Sequence, residues 1–394
     1  MRNYRNNFSR YRLVIDAVCG ILFLAFSFVY LYVVQGELMR CLWRDCLGKE
    51  TYSPLWGALV ITCFLWIGQW LLERLTRFGR TWAALPYFPA YCALAFLTCV
   101  TPIESGVDSC TYVLGWDGLW WLFPGSLIIY LIVGIIIRCR RAVVRERSLT
   151  ELLISNLITL IIFSYATGSI GNTNELLRNE LLVSQCIRDQ RYEDALLVGK
   201  KSLHNTPSLT TLRAFALSHN GILGESLFEY PQSDGTNGLF FQKEFSGVHG
   251  FTNEDIISHL GGVPCEEGEP VVDYLQRLCE SDSTATSQAL DYYLSALLLE
   301  KRLSDFYQAL LQYWPKDTAL PRHYQEALIL YVQEVESASP PAQMCTSPIE
   351  ERYEEFLQLR NQYADPLHQK NYTRRKFGDT YWWYYWFGGV SDSK

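Results

Sequence analysis

Five apolar runs in the first 171 residues decide most of what this chain can become. They lie near 13–34, 54–72, 82–101, 119–137 and 150–170. Each approaches the roughly 20 residues a helix needs to cross the hydrocarbon core of a bilayer. In that medium every backbone N–H and C=O must be bonded within the chain, so helices are what such runs form. The first, "LVIDAVCGILFLAFSFVYLYVV", carries only Asp16 as a charge and follows Arg2, Arg5, Arg10 and Arg12. A basic start before an apolar run also marks a signal peptide, but this run is too long for one and no small-x-small cleavage site follows it. It reads as an uncleaved first span.

Orientation follows from where the cations fall. Besides the N-terminal arginines, Arg74, Arg77 and Arg80 fill the second short loop, and Arg138, Arg140, Arg141, Arg145 and Arg147 the fourth. The opposite loops are different: 102–118 has no Lys or Arg, and 35–53 balances Arg40, Arg44 and Lys49 with Glu37, Asp45 and Glu50. The positive-inside rule then puts the N-terminus in the cytoplasm and, with five spans, everything after 171 outside it. Trp116, Trp120 and Trp121 at the start of the fourth run suit the outer interface.

Ionisable and polar residues inside spans invite a functional reading. The candidates are Asp16 and Glu151, both within a turn of a cytoplasmic end, and Asn156, which shares a face of the fifth run with Thr159, Ser164 and Thr167. A polar path would need a second charge at mid-membrane depth. None is present, so hydrogen bonding between helices is the favoured role for these groups.

Beyond residue 171 the pattern changes. The first part holds 15 Lys+Arg against 10 Asp+Glu and the rest 19 against 31, giving +5 and −12. So acidic a domain excludes phosphate-backbone binding, and nucleic acid is not an expected partner. "LRNELLVSQCIRDQRYEDALLVGKKSLHNTP" is amphipathic and breaks into two helices between Arg188 and Arg191. It resembles a tetratricopeptide repeat, with Leu182, Val183, Tyr192, Ala195, Leu203 and Pro207 at signature spacings. Gln190 stands where that repeat usually has glycine, and Asn179 where it has its first aromatic. "LRAFALSHNGILGESLFEYP" repeats the pattern with Ala214, Leu217, Gly221 and Leu223. Residues 231–268 read as an inserted loop holding an apolar knot, Leu239-Phe240-Phe241; helical periodicity resumes at "VVDYLQRLCE" and continues through further hairpins. The expected fold is all-α: a five-helix transmembrane bundle (1–171), an extracytoplasmic helical-repeat domain (172–379) and an aromatic C-terminal segment (380–394).

That last segment is an unbroken aromatic run from Tyr381 to Phe387, flanked by Lys370, Arg374, Arg375 and Lys376. It is too short to span a bilayer and too apolar to lie free in water. Folding back to cap the repeat is the favoured reading. Contact with a membrane surface or a partner through Tyr381, Trp382, Trp383 and Trp386 is the alternative.

Catalytic signatures are missing. There is no Gly-x-Ser-x-Gly elbow, Walker loop or His-Glu-x-x-His, and no two of the six histidines stand at ligand spacing on one helix. No catalytic residue, cofactor or metal is expected. Cys19, Cys63, Cys92 and Cys99 fall in spans, where they pack. An oxidising compartment would permit Cys41–Cys46, with Cys110 as rival partner, and Cys265–Cys279.

The order of parts, with "LFEYP", "HYQEALILY" and the "GDTYWWYYWF" ending, resembles an uncharacterised family of Bacteroidetes multi-pass inner-membrane proteins, a domain of unknown function. The resemblance implies a bacterial inner membrane with the repeat domain in the periplasm, and it brings no activity with it. The partners expected are the lipid bilayer and a protein held by the repeat domain. An enzyme or transporter acting on a lipid-linked or small substrate within the bundle is the alternative.

Overall fold

The computed structural model describes residues 2–47, 52–76, 83–104, 110–114, 121–139, 148–200, 202, 205–242, 250–262, 264–265, 268–280, 286–315, 318–334 and 347–388. The chain divides into two compact units: Met1–Ser105 with Cys110–Arg178, and Gly106–Ser109 with Asn179–Lys394. Each has its own buried core.

The first unit opens with α1 (Arg2–Val29), which winds into a π-helical turn at Tyr30–Val34, followed by α2 (Gly36–Leu47) and α3 (Pro54–Thr76). A 3-10 turn, Leu85–Tyr87, leads into α4 (Phe88–Thr98); then come β1 (Val100–Glu104), β2 (Cys110–Leu114), α5 (Leu122–Cys139) and α6 (Leu149–Ile170). Among the described residues three helices are long and apolar enough to cross a membrane: Val14–Val34, Pro54–Arg74 and Leu149–Ile170. The expected count of five is therefore corrected. The third and fourth runs form shorter apolar helices, Leu85–Thr98 and Phe123–Ile136. Pro86 and Pro89 confine the start of the former, and the chain turns extended at Val100. Its 14 residues rise only about 21 Å. In α5, Pro124 and Arg138 bracket the apolar part.

The helical class is as expected; one short hairpin is added to it, in which β1 and β2 pair antiparallel with Val100 opposite Leu114 and Glu104 opposite Cys110. Val, Ile, Thr and Tyr dominate these strands, as pleated backbone prefers. The stretch read as an outer loop also carries a helix, α2, which buries Leu38, Met39 and Cys41.

Large apolar side chains of this unit point outward: Phe64 is 76% exposed, Ile161 66% and Tyr165 78%. Polar ones are turned inward and bonded. Asn156 accepts at Oδ1 from the Ala84 N–H at 2.8 Å and donates to the Leu152 carbonyl at 2.8 Å, tying α6 to the approach of α4. Ser164 meets the Tyr91 hydroxyl at 3.0 Å, and Thr167 donates to the Tyr91 carbonyl at 3.3 Å. At one end Gln35 donates to the Tyr30 hydroxyl and the Asn172 carbonyl, while Tyr30 bonds Thr98.

The second unit is built of helical hairpins: α7 (Glu175–Arg188) with α8 (Tyr192–Leu197), α9 (Pro207–His219) with α10 (Leu223–Ser226), then α11 (Asn253–Leu260), α12 (Val271–Glu280), α13 (Ser287–Leu299), α14 (Leu303–Tyr313), α15 (Arg322–Glu334), α16 (Ser347–Asn361), α17 (Pro366–Phe377) and α18 (Tyr381–Phe387). Three of its turns share one geometry. After α7, α9 and α13 the chain passes through a left-handed residue, Gln190 (φ 59°), Gly221 (φ 67°) and Lys301 (φ 60°). Each turn closes with the same two bonds: Arg191 N–H to Cys186 O and Gln190 N–H to Ile187 O, Ile222 to Leu217 and Gly221 to Ser218, Arg302 to Leu297 and Lys301 to Leu298. This is the Schellman closure, which satisfies carbonyls that a helix end leaves orphaned. α9 and α13 match at their other ends too, each capped by a threonine hydroxyl, Thr206 on Leu209 N–H and Thr286 on Ala289 N–H.

α13 is the central rod, with Tyr292, Leu294, Leu297 and Leu298 wholly buried. In the inserted loop, Leu239 and Phe241 are buried, and the Asn253 amide clamps Phe241 through both its N–H and its carbonyl.

Candidate functional site

Three short stretches far apart in sequence meet in the second unit: Leu227–Glu229 with Tyr230, the first turns of α15, and α18. The Phe228 ring lies 5.1 Å from His323, 5.0 Å from Tyr381 and 5.0 Å from Tyr384. Thr380 starts α18 by accepting the Trp383 N–H on its hydroxyl. From there two tyrosines reach the end of α13: Tyr381 donates to the Leu298 carbonyl at 3.1 Å and Tyr384 to that of Leu299 at 2.8 Å. Trp382 donates its indole N–H to the Glu326 carbonyl at 2.9 Å. The aromatic segment is thus a plug in the middle of the unit, bonded to the last carbonyls of α13 and to one inside α15.

Glu326 organises this junction, although it is almost fully buried. One carboxylate oxygen accepts from Arg322 Nε at 2.9 Å; the other takes the Tyr381 N–H at 2.7 Å and meets His323 Nδ1 at 3.0 Å. A buried charge survives when paired and hydrogen-bonded in this way. His323 is buried, and among the described residues its Nε2 has no hydrogen-bond partner. Arg322 also reaches Asp379 at 3.0 Å, and Arg352 takes both oxygens of Asp379 at 2.9 and 3.1 Å. Burial works against the charge of Asp379, but the Arg322 and Arg352 guanidiniums outweigh it and hold the carboxyl below its ordinary value.

Beside this network opens a pocket of about 310 Å³, within the range of small-ligand and peptide-anchor sites. Leu320, Pro348 and Ile349 give it an apolar wall; Arg322, Arg352, Glu225 and Glu326 face them. Arg352 spends only Nη2 on Asp379 and the Lys376 carbonyl. Two cations against two lining carboxylates, with Asp379 bonded to both arginines, make this no trap for anions. It offers fixed donors and acceptors next to apolar surface, which is what an extended peptide can use.

The residues singled out from the sequence fall in several places. Tyr381 and Trp382 are fully buried, which corrects their reading as contact residues: each has a backbone carbonyl to bond inside the unit. Trp383 is half-buried and Trp386 remains exposed. Asp16 is half-buried on α1, and Glu151 is exposed in the first turn of α6, its N–H capped by Ser148. Asn156 is engaged by one bond to the Ala84 N–H ahead of α4 and one to the Leu152 carbonyl within α6. Cys41 is buried on α2, while the Cys46 side chain lies outside the described residues. The Cys265–Cys279 bridge is not formed. Cys279 is a free thiol whose pKa burial pushes up to about 12, and Cys265 Sγ lies 3.5 Å from the Glu269 carboxylate.

The sequence reading missed Glu326, His323, Arg322, Arg352 and Asp379. One signal was available: Glu326 interrupts the apolar stripe of "HYQEALILY" directly before Ala327. A second cluster was also missed. The His219 and His259 rings stack at 3.9 Å, with Tyr192 on the far face of His219 at 4.5 Å. His259 Nε2 meets the buried Ser218 hydroxyl at 3.0 Å, a bond that pins α11 to α9. Among the described residues no group of three or more His, Cys, Asp or Glu could hold a metal.

Comparison with known proteins adds one result. The model of a family described as "Family of unknown function (DUF6057)" matches residues 99–264 and 270–388. No curated protein and no solved structure matches.

Proposed function

Because the chain belongs to the DUF6057 family, whose function is unknown, we propose its role from its own residues: a membrane-anchored protein whose second unit binds an extended segment of a partner protein. The pocket between Leu320, Ile349 and the Arg322–Arg352 pair carries this reading. Its arginines are held in place by Asp379 before any ligand arrives, so little ordering cost remains at binding.

The membrane half of the proposal draws on the three long apolar helices and the outward-facing Phe64, Ile161 and Tyr165. Water would penalise such a surface, and hydrocarbon would not. The arginine-rich N-terminus and short loops favour a cytoplasmic N-terminus with the second unit outside; the bacterial inner membrane and periplasm come from the family resemblance. Paired C-terminal fusions to alkaline phosphatase and green fluorescent protein test this, since fluorescence alone would reverse the placement. The three matching Schellman turns, with a left-handed residue where a tetratricopeptide repeat keeps glycine, support a repeat of that kind. Stacked hairpins of that class commonly grasp peptides or whole proteins.

A photo-crosslinking residue at Gln325, on the pocket wall, supplies the main test in native membranes. The expected result is a discrete protein adduct that Arg352→Glu weakens. Recovery of the uncrosslinked chain alone would sink the proposal. The enzyme or transporter alternative gains no support from Asn156, whose amide is engaged by the Ala84 N–H and the Leu152 carbonyl.

A further inference from the structure

From the outer face of α17 and α18 we infer a docking surface for anionic lipid headgroups, separate from the peptide pocket. The unit it belongs to is acidic, with 19 Lys+Arg against 31 Asp+Glu over 172–394. This face reverses that balance. Leu367, Lys370, Asn371, Arg374 and Arg375 fall within an arc of about 140° at 100° per residue, to one side of the buried Thr373 and Phe377.

The cations here are not spoken for. Lys376, on the flank, pairs with Glu355 at 2.7 Å. Among the described residues Arg360, Lys370, Arg374 and Arg375 have no carboxylate partner. The three arginines lie on aromatic rings instead: Arg360 is 4.0 Å from the Trp386 ring centre, Arg374 5.3 Å from that of Trp383 and Arg375 5.9 Å from that of Tyr372. Trp383 donates its indole N–H to the Lys370 carbonyl at 3.2 Å, joining the basic helix to the aromatic one. Leu367 is 63% exposed and Trp386 47%.

Unpaired cations set among an exposed leucine and tryptophan match an interface of anionic headgroups over acyl chains. The indole takes the headgroup level, and the cations the phosphates. An acidic protein surface would satisfy the cations but leave Leu367 and Trp386 unexplained. The inference rests on the membrane half of the reading above, because chain-borne apolar helices keep a bilayer permanently at hand and replace free encounter by a high effective concentration. It does not depend on the pocket.

The test uses the full chain in nanodiscs of phosphatidylcholine alone or of an equal mixture with phosphatidylglycerol, with a photo-crosslinking residue at Asn371. The expected result is a phospholipid adduct that forms preferentially in the anionic discs and fades with salt. Lys370→Glu with Arg375→Glu should cut its yield by about tenfold or more, while the melting of the second unit stays in place. Equal adduct yields in the two discs, yields insensitive to the charge reversals, or adducts with protein alone in native membranes would each overturn the inference. Failure of the chain to enter either disc would instead strike the membrane reading itself.

Discussion

In the first unit Phe64, Ile161 and Tyr165 face outward while Gln35, Thr98 and Asn156 are buried; in the second, Tyr292, Phe306 and Trp382 are buried and the charges are mostly outside. If the first unit sits in a bilayer, as proposed, the same physical rules give both patterns. Hydrocarbon rewards no burial of leucine, so helices there meet through close packing and a few side-chain bonds. Water rewards it strongly, so the second unit can afford to seal Glu326 and His323 inside an aromatic core. Buried polar groups should therefore matter more in the second unit than in the first, and variants can break that expectation or sharpen it.

Removal of residues 380–394 should have the largest effect. Tyr381, Trp382 and Tyr384 are buried and cover about 150–250 Å² each. At ~25 cal/mol/Å² this amounts to on the order of 10 kcal/mol before ordering costs, comparable with the whole net stability of a domain. Limited proteolysis of membranes should show the second unit digested and the first unit's helices still protected. A second unit that stays resistant would mean the tail is peripheral.

Glu326→Ala comes next, at about 3–5 kcal/mol, because it strands Arg322, His323 and the Tyr381 N–H in a site built to serve them. Denaturant unfolding followed by the fluorescence of the second unit would measure it. A loss below about 1 kcal/mol would show that water reaches the junction.

Two titrating groups should act in opposite directions. Burial raises the pKa of Asp291 from 3.8 to about 6, against a hydrogen bond from Tyr324 that lowers it. Its folded value lies above its unfolded one, so its stabilisation is complete below about 3.8 and lost as pH rises through about 6. Asp291→Asn should therefore stabilise the second unit at pH 7, by about 1–3 kcal/mol. His219 shifts the other way, from 6.5 to about 4, through burial and then the His259 ring stacked on it. A base with a depressed folded pKa loses stability as pH falls from about 6.5 towards about 4. His219→Phe should flatten that acid limb by about 1–2 kcal/mol, and melting temperatures across the range would separate the two variants.

How far the sequence reached depends on which force decided each feature. The apolar runs and the change to amphipathic helices after 171 are composition, and both can be read directly. The break between Arg188 and Arg191 was legible as a turn, and the left-handed Gln190 there shows why a repeat keeps glycine at that position. Length failed at Pro86 and Pro89, where a hydropathy run hid a helix start. The β1–β2 ladder is too short and too close to apolar runs to announce itself. The pairing of Glu326 with Tyr381, 55 positions apart, depends on tertiary packing that no local pattern encodes. The aromatic run itself was legible as something that must be covered; which of its rings would be inside was not.

Asn156→Ala should give the smallest effect and the sharpest contrast with Glu326. The change removes an acceptor from the Ala84 N–H and a donor to the Leu152 carbonyl, so by the standards of a water-soluble core it would be costly. In a bilayer the separated helices still find other partners for these groups, and such bonds average about 0.6 kcal/mol with a ceiling near 1.7. Unfolding of the full chain in lipid, followed by a probe confined to the first unit, should show a loss in that range. A loss matching that of Glu326→Ala would mean that α4 and α6 separate into water rather than lipid, and the assignment of the first unit to the membrane would fail with it.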